Sequence, residues 1–335
     1  MLRKLSITHQ SCPLATPFRI SRGVKTVADV VVVEIEEGNA RGRGESVPYS
    51  RYGESIDSVM EQLQHITYAL AGGITRAQLQ YALPPGAARN AADCALWDLE
   101  AELSGRSVAD QLGAGPVPSL ITALTVGIDT PQAMRAAAER LQDAPLIKVK
   151  LDATDPEAQL RAVRSGAPAA RLIADPNESW NLDILQHMQS VLVETAVELI
   201  EQPLPAAKDT ALEGFRSAVP LCADEACHVA QDIPELVRKY AAVNIKLDKT
   251  GGLTGGLLLL ERAQAAGLTI MCGCMVATSL SIAPAFHIAR HAQFVDLDGP
   301  LWLQEDRPYG VRLEHGRLLP GDSRLWGGTA APGTV

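Results

Sequence analysis

Residues 171–180 read RLIADPNESW, an apolar run of strand length that stops on Asp175 and passes into proline and turn-forming polar residues. Upstream, PLIKVK at 145–150 ends the same kind of run on Lys148 and Lys150. Downstream, VELIEQPL at 197–204 carries Glu201, LCADEAC at 221–227 carries Asp224 and Glu225, and VNIKLDK at 243–249 carries Lys246. Helical stretches rich in Ala, Leu, Glu and Arg separate these runs. Eight strand starts fall near Ser119, Pro145, Arg171, Val197, Pro220, Ala242, Leu268 and Gln293, spaced 22 to 26 residues apart. One strand, one helix and two short loops need about 25 residues, so the spacing predicts a closed parallel α/β barrel over 117–300. The segment after the eighth strand, GPLWLQEDRPYG at 299–310, has no helix signature, so the barrel is expected to lack its last helix.

Residues 1–116 read as a separate α+β segment. ADVVVVEIE at 28–36 is β-branched and runs into Glu37-Gly38-Asn39, a hairpin-type turn, with a second strand expected toward Glu45. Helical apolar spacing covers Ser55–Leu70 and Ala87–Ser104; in the second, Ala91, Ala95, Leu99 and Leu103 recur every four residues and Gly105 is placed to end the helix. The tail, 301–335, is expected to return to this first segment.

The 335 residues are 47% hydrophobic and 21% charged, which predicts a packed core. With 30 Lys and Arg against 39 Asp and Glu the net charge is −9, a poor match to nucleic acid or an anionic membrane. The N-terminus has no apolar run of signal-peptide length and no stretch is long enough for a membrane span, so a cytoplasmic location is expected. The six cysteines, at 12, 94, 222, 227, 272 and 274, fit no zinc spacing and read as reduced core residues. Glycines in KTGGLTGG at 249–256 are not followed by the Lys-Ser/Thr of a phosphate loop and read as a turn. The histidines read as structural.

Barrel active sites lie at the C-terminal ends of the strands, where the charges sit. Any one strand-end aspartate is commonly a cap or turn residue. The set is different, because gathering several ionised groups at buried positions is costly unless they pair or bind a metal. Asp175, Glu201 and Asp224 on three adjacent strands form an oxygen-only, triply anionic set that suits Mg²⁺ better than zinc. Side-chain alternation points Lys148 and Lys150 the same way. Strands two and six flank the carboxylates, so a substrate held at the metal has a lysine on each face. Abstraction of a proton α to a carboxylate needs the enediolate neutralised and a base that is neutral at working pH. Lys148 and the metal are expected to lower the Lys150 pKa for that task. Two bases on opposite faces predict inversion of configuration.

At these residues the sequence resembles the enolase superfamily, and within it the muconate-lactonizing-enzyme subgroup. The resemblance covers nearly the whole chain, including NAADCALWDLEAELSGRSVADQLG at 90–113. It implies a (β/α)7β TIM-like barrel with an N-terminal α+β capping domain completed by the tail. It also implies one Mg²⁺ per subunit on Asp175, Glu201 and Asp224, acid/base lysines Lys150 and Lys246, and Lys148 assisting the first and binding the substrate carboxylate. Asn177, Glu225 and Asp248 fall where the family supports its metal site. On the eighth strand, Asp296-x-Asp298 resembles the motif with which dipeptide epimerases bind a substrate ammonium; a loop cap or a salt bridge to Arg307 is the plainer alternative. In TPFRISRG at 16–23, Arg22 or Arg19 is placed to clamp a side-chain carboxylate, with Arg22 favoured, and PYSRYGES at 48–55 forms the neighbouring loop. Together these resemble the L-Ala-D/L-Glu epimerases of murein-peptide recycling. The implied partner is a small dipeptide, and self-association is compatible with it. The same barrel also serves o-succinylbenzoate synthases and N-acylamino-acid racemases, and a non-catalytic binding barrel is the alternative of a different class.

Overall fold

The computed structural model describes residues 2–328; residues 329–335 of the tail lie outside the described residues. Three antiparallel strands open the chain: β1 (Lys4–Ile20), β2 (Gly23–Glu37) and β3 (Ala40–Ser46), joined in that order. Gly38 makes the β2–β3 turn at φ 63°. The unbroken valine run in β2 has a physical reason. Val31, Val33 and Ile35 pack on one side against Ala91, Ala95 and Leu99 of the helix Ala87–Ser104, whereas Val30 and Val32 belong to the barrel-side core. A strand buried on both faces needs no polar alternation. Gly42 and Gly44 let that helix lie directly on β3, since a Cβ at either would collide with backbone of Ala95, Leu99 or Ala91. Gly105 ends the helix at φ 63°, but Leu103 of the expected apolar repeat is 48% exposed.

Strand β1 is absent from the sequence reading. Its 17 residues alternate weakly, and Pro13 and Pro17 flank a register shift between Pro13 and Phe18. Proline is tolerated there because β1 is an edge strand. The expected helix 55–70 is two helices, Ile56–His65 and Thr67–Ala71, broken at Ile66.

The barrel strands are β5 (Leu124–Val126), β6 (Leu146–Lys150), β7 (Arg171–Asp175), β8 (Val197–Glu201), β9 (Leu221–Ala223), β10 (Ala242–Ile245), β11 (Thr269–Gly273) and β12 (Phe294–Asp296). They lie side by side in sequence order, all parallel, and the Ala123 N–H donates to the Val295 carbonyl (2.7 Å) to bring the two edges together. Seven starts fall within one residue of the expected positions. The first does not: Leu120–Ile121 forms β4, which pairs with the tail strand β14 (Arg317–Leu319), itself paired with β13 (Arg312–Glu314). Apolar residues run through 120–126, so nothing in the pattern separates the outer strand from the barrel strand. Among the described residues no α-helix follows β12, only a 3₁₀ turn at Gly299–Trp302 directly after it. The tail then reaches helix Ala87–Ser104, where Trp326 Nε1 donates to the Cys94 carbonyl (3.0 Å) and the Gly327 N–H to Asp98 (2.6 Å).

Strand alternation builds the floor of the site. Ala123, Leu146, Ile173, Leu199, Cys222, Ala242, Met271 and Phe294 form one buried apolar cluster. Two residues further along the same strands stand Lys148, Asp175, Glu201, Asp224, Asn244 and Asp296. A period of two therefore places five charged side chains and Asn244 directly above an apolar floor. No helix among the described residues is long and apolar enough to cross a membrane.

Candidate active site

Three carboxylates on neighbouring strands are the centre of the site: Asp175 and Glu201 are 0% exposed and Asp224 is 1%. Lysines stand among them. Lys148 Nζ lies 2.6 Å from Glu201 Oε2, 2.8 Å from Asp296 Oδ2 and 3.0 Å from Asp175 Oδ2. Lys150 Nζ reaches the same Asp175 oxygen at 2.6 Å, so the two lysines of β6 converge as alternation predicts. On the other side Lys246 Nζ lies 2.7 Å from Asp224 Oδ2 and 4.0 Å from Glu201. Lys150 and Lys246 thus occupy opposite ends of the carboxylate row.

Sequence reasoning missed three supports of that row. Lys249, 1% exposed, donates to Asp224 Oδ1 (2.6 Å) and to the backbone carbonyls of Asp224 (2.5 Å) and Asn244 (3.0 Å). Asn244 Nδ2 donates to Glu201 Oε1 (2.8 Å), and Gln202 Oε1 accepts the Asp224 and Ala226 N–H groups. A charge three residues past Lys246 was the available signal for Lys249; nothing local marked the other two.

The electrostatics follow from burial and crowding. Burial alone would raise the Asp224 pKa, but Lys246, Lys249 and Lys148 outweigh it and hold the carboxyl well below its usual range. Lys148 and Lys150 do the same for Asp175. Glu201 goes the other way, pushed to about 7 by burial and by the negative charge of Asp175. Around Lys148 and Lys246 carboxylates win: burial lowers both pKa values, yet Asp175 and Asp296 beside the first, and Asp224 and Glu201 beside the second, lift them well above the ordinary lysine value.

The residues fit a divalent cation by chemistry. All three donors are carboxylates, they lie on adjacent strands, and they are buried together in one row. No three acidic, histidine or cysteine side chains among the described residues already converge at metal-binding distance; the ammoniums of Lys148 and Lys246 stand between the carboxylates.

The surrounding wall is lined by Phe18, Arg22, Tyr49, Tyr52, Cys274, Met275, Asp296 and Asp298, around a cavity of about 60 Å³. Asp298 Oδ2 accepts from the Thr125 N–H (2.9 Å) and Trp302 Nε1 (3.3 Å), and burial together with Asp296 pushes its pKa to about 6. Asp296 Oδ1 is buried with no hydrogen-bond partner among the described residues. Arg307 pairs with Glu45 instead (2.6 Å), so it is not the partner of this acidic pair. Arg22, at the β1–β2 turn, lines the cavity; Arg19 lines a neighbouring one that shares Thr125 and Asp298 with it. Asn177 donates its N–H to Asp175 Oδ1 (2.9 Å), and Glu225 holds Arg22 (2.7 Å).

Asp248 is placed elsewhere than expected. Its Oδ1 accepts from the Val47 N–H (2.9 Å) and Asn90 Nδ2 (2.8 Å), so it seals the seam between cap and barrel rather than supporting the carboxylate row. Burial pushes its pKa from 3.8 to about 7. An acid raised in the folded state contributes stability fully present below about pH 4 and lost as pH rises through 7. Asp248→Asn keeps the acceptor and removes that loss. Its stability advantage over the parent should grow by up to about 1.4 kcal/mol per pH unit between pH 4 and 7 and then level, as read by urea unfolding.

Known proteins share the sequence and the fold of this chain. The family model "Mandelate racemase / muconate lactonizing enzyme, N-terminal domain" matches residues 2–113, and "Enolase C-terminal domain-like" matches 132–324. The L-Ala-D/L-Glu epimerase of Escherichia coli is 46% identical over 95% of this chain and 99% of its own length. An N-acetyl-D-glutamate racemase from Pseudoalteromonas is 45% identical over 89% and 95%. A crystal structure from Agrobacterium tumefaciens, an enolase family member with homology to dipeptide epimerases and bound sodium and L-Ala-L-Glu, superposes with a TM-score of 0.95 at 47% identity, covering 97% and 100%. Three further solved dipeptide epimerases of this fold are complexed with Mg and a dipeptide. The chain is an isomerase and belongs to the mandelate racemase / muconate lactonizing enzyme family of the enolase superfamily.

Proposed function

We propose that this chain is a Mg²⁺-dependent dipeptide epimerase that inverts the α-carbon of the C-terminal residue of substrates such as L-Ala-L-Glu. The observation that carries it is the pairing of Lys150 and Lys246 with opposite ends of the carboxylate row, beside a buried acidic pair on β12. Mg²⁺ held by Asp175, Glu201 and Asp224 would neutralise charge on the substrate carboxylate. Lys148, between that row and Asp296, steadies the same carboxylate. One of Lys150 and Lys246 removes the α-proton and the other delivers a proton to the opposite face of the planar enediolate, with the roles reversed for the other epimer. The substrate ammonium meets Asp296 and Asp298, where the partnerless Asp296 oxygen is free to accept. Arg22 meets the glutamate side chain.

A second reading, racemisation of an N-acylated glutamate, is favoured by the Pseudoalteromonas relative. It keeps both lysines but gives the acidic pair no cation to bind. The test is a panel of X-Glu dipeptides and N-acyl amino acids in D₂O with Mg²⁺. L-Ala-L-Glu should lose its α-proton NMR signal as the epimer appears; absence of exchange across the dipeptides would sink the first reading.

A further inference from the structure

The tip of the β1–β2 hairpin is a two-residue turn, Ser21-Arg22, between the paired Ile20 and Gly23. It reaches from the cap to the barrel mouth and is fastened there. Arg22 donates through one terminal nitrogen to Glu225 Oε1 (2.7 Å) and the Tyr49 hydroxyl (3.1 Å). Through the other it donates to the Asn177 carbonyl (3.1 Å) and Glu178 Oε2 (3.3 Å). Ser21 Oγ adds a bond to the same Asn177 carbonyl (3.1 Å). The two ends of the main ion pair differ: the Arg22 side chain is 28% exposed and that of Glu225 is 1% exposed. Arg22 is the only cation paired with Glu225 among the described residues, and Glu225 Oε2 is buried with no partner at all. Glu178, by contrast, is also held by Arg51 at 2.7 Å and by the Ala206 N–H at 2.8 Å.

We propose that Glu225 is an internal competitor for Arg22, occupying the guanidinium until an acidic substrate side chain displaces it. The proposal rests on the reading that Arg22 meets that side chain. An incoming carboxylate that takes the Arg22 nitrogen leaves Glu225 buried beside Asp224 without its cation, which is costly. A neutral side chain makes no such demand and leaves the pair intact. Glu225 therefore sets how strongly an acidic C-terminal residue is preferred over its neutral isostere, and it fastens the hairpin tip in the free enzyme. It is a positioning residue, acting through Arg22.

The test uses Glu225→Gln in the Mg²⁺-loaded enzyme. Glutamine keeps the shape and an acceptor but loses the charge. Steady-state kinetics on L-Ala-L-Glu and L-Ala-L-Gln give the ratio of their KM values, and that ratio should fall roughly tenfold in the variant, the weight of one charge-assisted hydrogen bond. A loss common to both substrates leaves the ratio fixed and overturns the proposal. In the second arm, amide hydrogen exchange over residues 18–25 without substrate should speed up in the variant; unchanged exchange also overturns it. In an Arg22→Met background the same Glu225 change should leave the ratio unmoved, and a tenfold shift there would overturn the route through Arg22. The exchange arm reads the fastening even if no dipeptide turns over, so failure of the substrate reading and failure of this inference are distinguishable.

Discussion

Lys246→Ala should abolish epimerisation while leaving half of the proton chemistry in place. Loss of a positioned acid/base costs about 10²–10⁴ in rate, and a one-step inversion needs both bases. Lys246 and Lys150 sit at opposite ends of the carboxylate row, each bound to a different aspartate, so removing one leaves the other and its partner intact. The variant should still wash deuterium into one epimer, the one whose α-proton faces Lys150, without forming the other. Lys150→Ala should show the mirror behaviour, exchanging the opposite epimer. Lys249 stays on Asp224 in the first variant, so that carboxylate keeps a cation and the site should still take up Mg²⁺. The measurement is time-resolved NMR in D₂O on each epimer separately. Full racemising activity in either variant would falsify the two-base arrangement, and exchange of both epimers in one variant would mean a single lysine serves both faces.

How much of this could be read from the sequence depends on which interactions are local. The barrel was legible because apolar runs recur at near-constant spacing and end on charges, as in RLIAD and VELIE, and a charge that ends a buried run is a signal in itself. The missed elements share a different cause. Strand β1 hides behind Pro13 and Pro17, which an edge tolerates but a pattern reader discounts. The split between β4 and β5 lies inside one apolar stretch and is made by the tail strand β14, a partner about 200 residues away. Lys249, Asn244 and Gln202 act on Asp224 and Glu201 across strands, and only the closed barrel brings them together. Asp248 was misplaced because two residues past Lys246 the chain has already turned into a short helix, Leu247–Thr250, which aims it at the cap. Strand alternation no longer applies there.

Asp298→Asn carries the other large effect and separates the two substrate readings. Asp298 is buried, and the Thr125 N–H and Trp302 Nε1 donate to a single oxygen that asparagine can supply equally well. The substitution therefore removes charge with little loss of shape. An ammonium that loses one of two carboxylates in a dry pocket gives up a charge-assisted interaction of about 1.5–3 kcal/mol, so kcat/KM for L-Ala-L-Glu should fall about 10- to 200-fold. An N-acylated glutamate has no ammonium, and whatever turnover it shows should be unchanged or raised. The pH profile gives an independent check. Burial and Asp296 set the Asp298 pKa at about 6. The dipeptide kcat/KM of the parent should thus decline as pH falls through 6, where the carboxylate takes up its proton, and that limb should vanish in the variant. Activity lost equally on the dipeptide and the N-acyl substrate would instead assign Asp298 to holding Thr125 and Trp302 in place, and the acidic pair would no longer argue for a dipeptide.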